Sequence, residues 1–364
     1  MTGHLLPLLP IADAAVAAGH EVAVLSAKDV TDQVAPLTVL AAGPNQSAMV
    51  DEALRRTGAH PAYPGPSTIE YFASVRIDFG LDEALAQARG FAPDLIVCEE
   101  VDFLGPLVAT ILGVPWAENT VGAPLPEEFA GGLKQRSLAN YEARSLTPAP
   151  RIALLDSYPD VLLGQGRRPD ADRIRVRPVA NEHGGSAYTP PAFASDRPRV
   201  LVTLGTTVTV TVPEAKDELA AMVSAVIGAG CDVIVTEGAD LLPADLDHDR
   251  VRTVGFVPLS KLLPEVDLVV SAGGTGTLLS ALSQGIPLVL RPYIADQPQN
   301  AALTAAAGAA VAIENPADAG TAARRVLDDP AYRTAAKAVA AELASTSSPA
   351  EALDELIARC AQGA

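Results

Sequence analysis

Cysteine, aromatic side chains and positive charge are all scarce in this sequence of 364 residues. The three cysteines, Cys98, Cys231 and Cys360, lie far apart and match no metal-ligand spacing, which argues against a disulfide framework and favours a reducing, cytoplasmic location. With 26 basic and 44 acidic residues the formal net charge is −18, which argues against nucleic-acid binding and against docking on an anionic membrane. No apolar run is long enough to span a bilayer, and the chain starts without the basic region of a signal peptide.

Apolar residues are abundant, at 49% of the chain, and they follow two alternating patterns. Apolar side chains from Leu8 to Val16 recur at helical spacing, and Gly19 follows them, so a first helix is predicted to end there. Short apolar segments typical of buried strands lie at 21–27, 37–43, 94–100, 114–120, 174–180, 199–205, 232–238, 251–257, 267–273, 286–292 and 309–313. Strands of this kind separated by helices predict an α/β fold, with parallel sheets covered by helices on both faces.

A stretch rich in glycine, proline and serine at 183–198 interrupts this pattern and predicts an interdomain linker. The expected domains are therefore 1–182 and 199–364, with the option that the last helix packs back on the first domain. Each would be a doubly wound, Rossmann-like domain, and the two would face each other across a cleft. Such domains bind ligands at the carboxyl ends of their strands, so we expect the functional site there.

The strand predicted at 267–273 ends in a turn of small residues, from Ala272 to Thr277, and a helix follows it. Glycines in such a turn let a phosphate approach the backbone, and the free N–H groups at the start of the helix attract its negative charge. A tight turn without a ligand explains the same residues equally well. The turn lacks the glycine–lysine pattern of a P-loop, which argues against a nucleoside triphosphatase.

Several segments, in register over nearly the whole chain, resemble the family 1 glycosyltransferases of the GT-B fold. The resemblance is strongest to the bacterial enzymes that glycosylate macrolides and other antibiotics. Residues 267–310 resemble the nucleotide-sugar signature of that family and contain AGGTGT, ALSQGIP and DQPQNA. Further resemblance lies in GHLLPLLPIADAAVAAGHEV (3–22), PDLIVCEEVDFLG (93–105), RPRVLVTLGTT (197–207) and GFVPLSKLLPEVD (255–267). The resemblance implies a GT-B fold, with acceptor binding in 1–182 and donor binding in 199–364.

The activity implied by the resemblance is an inverting glycosyl transfer from a UDP- or TDP-activated sugar to a hydroxyl of a small lipophilic natural product. The nucleotide sugar is a substrate, and no metal or other cofactor is expected. His4 is implied as the base that takes the hydroxyl proton and Glu99 as the carboxylate that orients it, with Glu100 and Asp102 as alternatives. Neither nucleic acid nor membrane is an expected partner, and a homodimer is left open.

The donor-binding residues implied by the resemblance all lie in the second domain: Thr206, Thr207, Phe256, Val257, Ala272, Gly273, Gly274, Thr275, Gly276, Thr277, Asp296 and Gln297. The glycine turn would hold the diphosphate, with Thr206 and Thr207 across from it and the segment from Phe256 bordering the nucleobase. Asp296 and Gln297 would bind sugar hydroxyls, because carboxylate and amide groups suit a polyol. N-terminal capping of the helix that follows is the alternative role for this pair.

Two departures from the family pattern bear on these expectations. Ala272 stands where the family has a histidine that contacts the donor phosphates, and losing one charge-assisted hydrogen bond costs about 1.5–3 kcal/mol. The strand that precedes Gly3 in the family is absent from the sequence, so we expect the natural protein to be longer. A chain that starts here is expected to have a gap in its first sheet and a poorly placed His4.

Three other functions stay open. Both departures favour a weakened or inactive homologue that binds a nucleotide or supports a partner enzyme. Another GT-B enzyme, such as a sugar-nucleotide epimerase or a cell-wall transferase, has the same fold, although a net charge of −18 does not suit membrane docking by the latter. An oxidoreductase is disfavoured because no GxGxxG follows a first strand. For a transferase, the acceptor pocket is expected in variable loops at 44–92 and 121–150.

Overall fold

The computed structural model describes residues 2–63, 65–166, 171–179, 193–236, 242, 246–254 and 257–363. The chain divides into two compact units. Unit 1 comprises Met1–Ser157, Arg168–Arg177 and Ser347–Ala364, and unit 2 comprises Tyr158–Arg167 and Pro178–Thr346. Of the predicted linker at 183–198, residues 183–192 lie outside the described part of the chain.

The strands of both units pair in parallel. Those of unit 1 are β1 (Ala23–Ser26), β2 (Thr38–Ala41), β3 (Ile96–Glu99), β4 (Trp116–Asn119), β5 (Ala153–Asp156) and β6 (Arg173–Arg175). Those of unit 2 are β7 (Arg199–Thr203), β8 (Asp232–Val235), β9 (Val251–Thr253), β10 (Leu268–Ser271), β11 (Leu288–Leu290) and β12 (Ala310–Ala312). Every segment predicted as a strand contains or overlaps one of these. The prediction missed β5, because prolines on both sides of this short segment are typical of loops.

Helices surround the strands of both units. Those of unit 1 begin with α1 (Thr2–Leu5), α2 (Leu9–Ala17), α3 (Thr31–Val34), α4 (Gln46–Thr57), α5 (Pro66–Glu70), α6 (Arg76–Phe91), α7 (Leu104–Leu112) and α8 (Glu127–Glu142). A π-helical segment, Tyr71–Val75, joins α5 to α6. Those of unit 2 are α9 (Asp160–Leu163), α10 (Gly205–Thr211), α11 (Ala215–Gly228), α12 (Leu259–Leu262), α13 (Thr275–Ser283), α14 (Gln297–Ala306), α15 (Ala319–Asp328) and α16 (Pro330–Ala344).

The predicted first helix is α2, which ends two residues before Gly19. Gly19 has a φ of +87°, the left-handed conformation that commonly ends a helix at glycine. In the part of the chain that the structure describes, no helix combines the length and apolar character needed to cross a membrane.

The strands of unit 1 form two sheets, one of β1 and β2 and one of β3, β4, β5 and β6 in that order. Among the described residues no backbone pairing joins β1 to β3, which is the interruption that the sequence predicts. Leu25 of β1 and Ile96 of β3 nevertheless pack on one core, to which α6 and α7 contribute Ile77, Leu104 and Leu107. Apolar burial against these two helices therefore keeps both sheets in one unit without a hydrogen-bonded ladder between them.

A six-stranded sheet forms the centre of unit 2, in the order β12-β11-β10-β7-β8-β9. Val202 of β7 and Val270 of β10 face a core that includes Leu219 of α11. The strand order reverses between β7 and β10, which end at Thr203 and Ser271. Doubly wound sheets bind ligands in the crevice at such a reversal, so the residues that follow these two strands are placed to form a site.

The last helix, α17 (Pro349–Gly363), belongs to unit 1 although the residues before it belong to unit 2. Leu353 and Leu356 of this helix are buried with Ile11 of α2 and Leu155 of β5. The two ends of the chain therefore contribute to the same apolar core.

The segments expected to form acceptor loops, 44–92 and 121–150, are mostly helical, since α4, α5, the π-helical segment, α6 and α8 lie in them. The loop expectation was wrong because these segments carry buried apolar stripes at helical spacing. Met49 and Ala53 are buried on α4, and Leu81 and Leu85 are buried on α6. Any acceptor pocket of unit 1 is therefore formed largely by helices.

Candidate functional site

His4 lies at the amino end of unit 1, in the helical turn α1. A short 3-10 turn continues from there into α2, where Leu9 and Ile11 are buried. The Nδ1 atom of His4 is 3.3 Å from Oε2 of Glu99, the last residue of β3. The expectation of a poorly placed His4 was therefore wrong, because the buried start of α2 anchors the turn that carries this residue.

The contact between His4 and Glu99 is partly enclosed, with side chains 23% and 12% exposed. Oε2 of Glu99 also accepts a hydrogen bond of 2.8 Å from the backbone N–H of Val101, which holds the carboxylate in place. Nδ1 of His4 is shielded from solvent, and it makes no aligned hydrogen bond within the described chain. A carboxylate on the Nδ1 side leaves Nε2 to take a proton from a hydroxyl and stabilises the resulting imidazolium.

An aromatic side chain lies on another side of the same histidine. The ring centroids of His4 and Phe72 are 5.4 Å apart, and Tyr71 meets Phe72 edge-on at 4.9 Å. Both aromatic residues belong to the π-helical segment, and π-helical turns are frequent at functional sites. Burial raises the pKa of Tyr71 to about 12, so its phenol is neutral at physiological pH. An apolar ring beside a base suits a lipophilic substrate.

The two alternative carboxylates have different surroundings. Asp102 lies 3.8 Å from Nε of Arg76, and burial raises the pKa of Asp102 while Arg76 opposes that shift. Glu100 is the residue just beyond the end of β3. Of these three acidic residues, Glu99 is the one that lies against His4.

In unit 2 the glycine turn follows β10 and leads into α13. Gly273 has a φ of +87°, which a residue with a side chain rarely adopts, and its N–H donates to Oγ of Ser271 at 3.2 Å. Gly274 is the N-cap of α13. Because glycine has no side chain, the N-cap residue does not accept a hydrogen bond from the first turn of this helix. The N–H groups of Gly276 and Thr277 lie in the first turn and so have no intrahelical acceptor. These two groups are therefore available to an anion.

Asp296 lies against this turn. Its Oδ2 atom accepts hydrogen bonds from the backbone N–H of Thr275 at 3.2 Å and from the Thr275 hydroxyl at 2.7 Å. Asp296 is also at the N-cap position of α14, but its side chain makes no capping bond there. The alternative role of Asp296 as a cap of α14 was therefore wrong, because the carboxylate turns to the start of α13 instead. Ala295 before it has a φ of +55°, a strained conformation for a residue other than glycine.

Gln297 has a structural contact that the sequence does not indicate. Only 6% of this residue is exposed. Its Oε1 atom accepts hydrogen bonds from the backbone N–H groups of Tyr293 at 2.9 Å and Ile294 at 3.0 Å. The side chain thus closes the turn that leads to Asp296, and its amide N–H₂ group is the part left for a ligand.

The remaining implied residues differ in how much of them the structure describes. Thr206 and Thr207 lie in α10, which starts directly after β7, but their side chains are outside the described part of the structure. Phe256 lies outside it altogether, whereas Val257 is buried. Ala272 is 2% exposed and its methyl group faces the apolar core of unit 2, so it offers no charge to a ligand.

Comparison with known proteins adds to this geometry. Residues 217–359 match the family model described as erythromycin biosynthesis protein CIII-like, C-terminal domain. L-demethylnoviosyl transferase of Streptomyces niveus is 28% identical, over 98% of this chain and 95% of that protein. Elloramycin glycosyltransferase ElmGT of Streptomyces olivaceus is 29% identical, over 96% of this chain and 92% of that protein.

Solved structures of glycosyltransferases are similar to this chain over nearly its whole length. The glycosyltransferase SnogD from Streptomyces nogalater is 29% identical, with a TM-score of 0.80 over 98% of this chain and 96% of that chain. The Streptomyces sp. SF2575 glycosyltransferase SsfS6, complexed with thymidine diphosphate, is 28% identical, with a TM-score of 0.79 over 98% and 96%. These similarities show that the chain is a glycosyltransferase of the GT-B fold. The expected resemblance to antibiotic glycosyltransferases and the expected fold class are thereby confirmed.

In this glycosyltransferase the structure also brings two residues to the glycine turn that the sequence reasoning did not single out. Asn300 contacts the glycine turn and Asp296, and Tyr158 contacts Asn300. Asn300 lies within the motif DQPQNA, so the sequence could have identified it as a candidate site residue. No local pattern marks Tyr158, because it is distant in sequence. Phe72, beside His4, was missed for the same reason.

Proposed function

We propose that this glycosyltransferase moves a sugar from TDP to a hydroxyl group of a polyketide-type aglycone, with inversion at the anomeric carbon. The observation that carries the proposal is the glycine turn at the strand reversal of unit 2, with the Asp296 carboxylate held against it. The choice of TDP rests on SsfS6, which was solved with thymidine diphosphate. The choice of acceptor rests on relatives such as aklavinone 7-beta-L-rhodosaminyltransferase of Streptomyces galilaeus and tylactone mycaminosyltransferase of Streptomyces fradiae.

The donor is held by unit 2 in this proposal. The N–H groups of Gly276 and Thr277 bind the diphosphate, and the positive end of α13 stabilises the charge on the TDP that leaves. Asp296 accepts a hydrogen bond from a sugar hydroxyl through Oδ1. Gln297 donates one through its amide. Thr206 and Thr207 face the phosphates, and Phe256 and Val257 border the base.

The acceptor is activated by unit 1. The acceptor hydroxyl gives its proton to Nε2 of His4, its oxygen forms the bond to the anomeric carbon, and the bond from that carbon to TDP breaks. Glu99, 3.3 Å from Nδ1, stabilises the imidazolium. The positive end of α13 stabilises the negative charge of the leaving TDP without a metal ion. We therefore expect transfer to continue when EDTA removes divalent metals. The free thiols Cys98, Cys231 and Cys360 fit a cytoplasmic reaction.

The homodimer also stays a prediction. Light scattering measures the mass of the protein in solution and so tests it.

The first test measures TDP and UDP binding by calorimetry, then transfer from TDP-sugars to a panel of aromatic and macrolactone aglycones. We expect TDP to bind, and we expect His4→Ala to leave TDP binding unchanged while reducing transfer about 100-fold or more. The matched control is His20→Ala, at an exposed position beyond the end of α2, which should keep full transfer.

Two results would contradict the proposal. Absence of TDP binding by a folded wild-type protein would leave the inactive homologue as the better interpretation, with Ala272 as its cause. Full transfer by His4→Ala would remove His4 as the base.

A further inference from the structure

A buried amide links the glycine turn to the Asp296 carboxylate. Asn300 on α14 is fully buried. Its Nδ2 atom lies 2.9 Å from the carbonyl oxygen of Gly273, 3.1 Å from Oγ1 of Thr275 and 2.8 Å from Oδ2 of Asp296. All three partners are oxygen acceptors, so one side-chain amide joins the turn, the start of α13 and the carboxylate.

A tyrosine contacts the oxygen of that amide. The hydroxyl of Tyr158, a residue only 2% exposed, donates to Oδ1 of Asn300 at 3.0 Å. Tyr158 and Asn300 are 142 residues apart in sequence. If the amide were reversed, its oxygen would face the Gly273 carbonyl and the Asp296 carboxylate, which repel it. The oxygen acceptors around Nδ2 therefore set the orientation of the amide, and the Tyr158 hydroxyl holds the amide oxygen from the other side.

The network also assigns different roles to the two oxygens of Asp296. Oδ2 receives the bonds from Thr275 and Asn300. No hydrogen bond in the described part of the chain reaches Oδ1. A carboxylate held through one oxygen presents the other in a fixed direction, without the reorganisation that a free side chain needs.

We propose that Tyr158 and Asn300 are positioning residues that aim Oδ1 of Asp296 at a hydroxyl of the donor sugar. Because an ionised carboxylate only accepts hydrogen bonds, the network favours donor sugars that have a hydroxyl at this point over sugars that are deoxygenated there. The inference rests on the proposed donor site. It predicts that these residues act on the sugar half of the donor more than on the TDP half.

The experiment compares TDP with a TDP-hexose in calorimetry on the full chain. For Tyr158→Phe we expect about tenfold weaker binding of the TDP-hexose and less than about threefold weaker binding of TDP. Tyr141→Phe is the matched control, since Tyr141 is a buried tyrosine of unit 1. It should change neither affinity. A role limited to folding would lower thermal stability but leave the ratio of the two affinities unchanged, and that result would overturn the proposal.

A second variant adds a pH signature. Asn300→Asp places another carboxylate beside Asp296, where the amide nitrogen now lies 2.8 Å from Oδ2. At pH 8 both groups are ionised and repel, so binding of the TDP-hexose should fall. As the pH falls towards 5 the pair takes up one proton that can donate in place of the amide, and binding should recover. Affinity that is lost equally at both pH values would contradict the positioning role.

A double-mutant cycle completes the test. In an Asp296→Asn background, Tyr158→Phe should no longer change the ratio of the two affinities, because the carboxylate that it positions is gone. An undiminished effect would overturn the proposal. If the wild-type protein binds neither ligand, the proposed function and this inference both fail. If it binds both ligands and Tyr158→Phe leaves their ratio unchanged, this inference alone fails.

Discussion

Asp296 and Gln297 are adjacent in sequence, but they have different groups left to offer a ligand. Oδ2 of Asp296 is bonded to Thr275, whereas Oε1 of Gln297 is bonded to the backbone at Tyr293 and Ile294. A carboxylate with one oxygen engaged still accepts at the other, but a glutamine with its oxygen engaged can only donate. We therefore expect Asp296 to bind a sugar hydroxyl hydrogen and Gln297 to bind a sugar oxygen.

Replacement of Tyr71 by phenylalanine tests the buried phenol beside Phe72. The pKa of Tyr71 is raised by burial from 10.0 to about 12. Above pH 10 the unfolded chain therefore loses a proton that the folded chain keeps, and the free energy of unfolding falls as the pH rises towards 12. The full effect is about 2.7 kcal/mol, from about 1.4 kcal/mol per pKa unit. We expect Tyr71→Phe to lose less stability than the wild type between pH 8 and pH 11.

The measurement is urea unfolding followed by the fluorescence of Trp116. This residue is the single tryptophan of the chain and lies in β4, so it reports on unit 1. Tyr63→Phe is the control, because Tyr63 is 56% exposed, and it should lose as much stability as the wild type. If Tyr71→Phe and the wild type lose equal stability between pH 8 and pH 11, burial does not raise the pKa of Tyr71.

At the scale of elements, α11 and α15 approach each other closely on one face of the unit 2 sheet. A Cβ atom at Gly320 would lie 2.2 Å from the backbone oxygen of Ala225. No such contact exists at Gly228, at the end of α11, where a Cβ atom would meet nothing within 4 Å. The absence of a side chain at residue 320 therefore sets the distance between the helices.

Alanine at these two glycines should have opposite effects. Gly320→Ala forces α15 away from α11, and we expect it to lower the stability of unit 2 by about 1–3 kcal/mol. Gly228→Ala restricts the unfolded chain without a clash, and we expect a gain of about 0.5–1 kcal/mol. Hydrogen exchange of α11 peptides measures both effects. Similar exchange in the two variants would show that the helices do not meet at Gly320.

At the scale of the whole molecule, the chain returns to unit 1 after it completes unit 2. Leu356 of α17 is fully buried in the core that also contains Ile11 and Leu155. The end of the sequence thus stabilises the unit that carries His4 and Glu99.

Leu356→Ala should therefore act on unit 1, although this residue follows unit 2 in sequence. Loss of a buried leucine costs about 2–5 kcal/mol, which should lower the urea midpoint of Trp116 fluorescence while TDP binding to unit 2 keeps its affinity. Ile357→Ala is the control on the same helix, because Ile357 is 37% exposed and should cost far less. A changed TDP affinity with an unchanged Trp116 transition would contradict the assignment of α17 to unit 1.

Features that depend on neighbouring residues could be predicted from the sequence. Short apolar segments set the strands, and the glycines after β10 set a turn with the left-handed Gly273, because backbone conformation and burial follow from local patterns. The missed β5 and the helices within 44–92 show the limit of such patterns, since flanking prolines and tertiary burial decided those segments.

Contacts between side chains that are distant in sequence could not be predicted in this way. The tertiary structure brings His4 within 3.3 Å of Glu99, and it places Tyr158 on Asn300 across 142 residues of sequence. It also joins the Asp296 carboxylate to the start of α13 and to the Asn300 side chain, while the carboxylate makes no capping bond to α14. The physical reason is that periodicity identifies the buried face of an element but not the element that covers it, so partners and side-chain directions follow from packing alone.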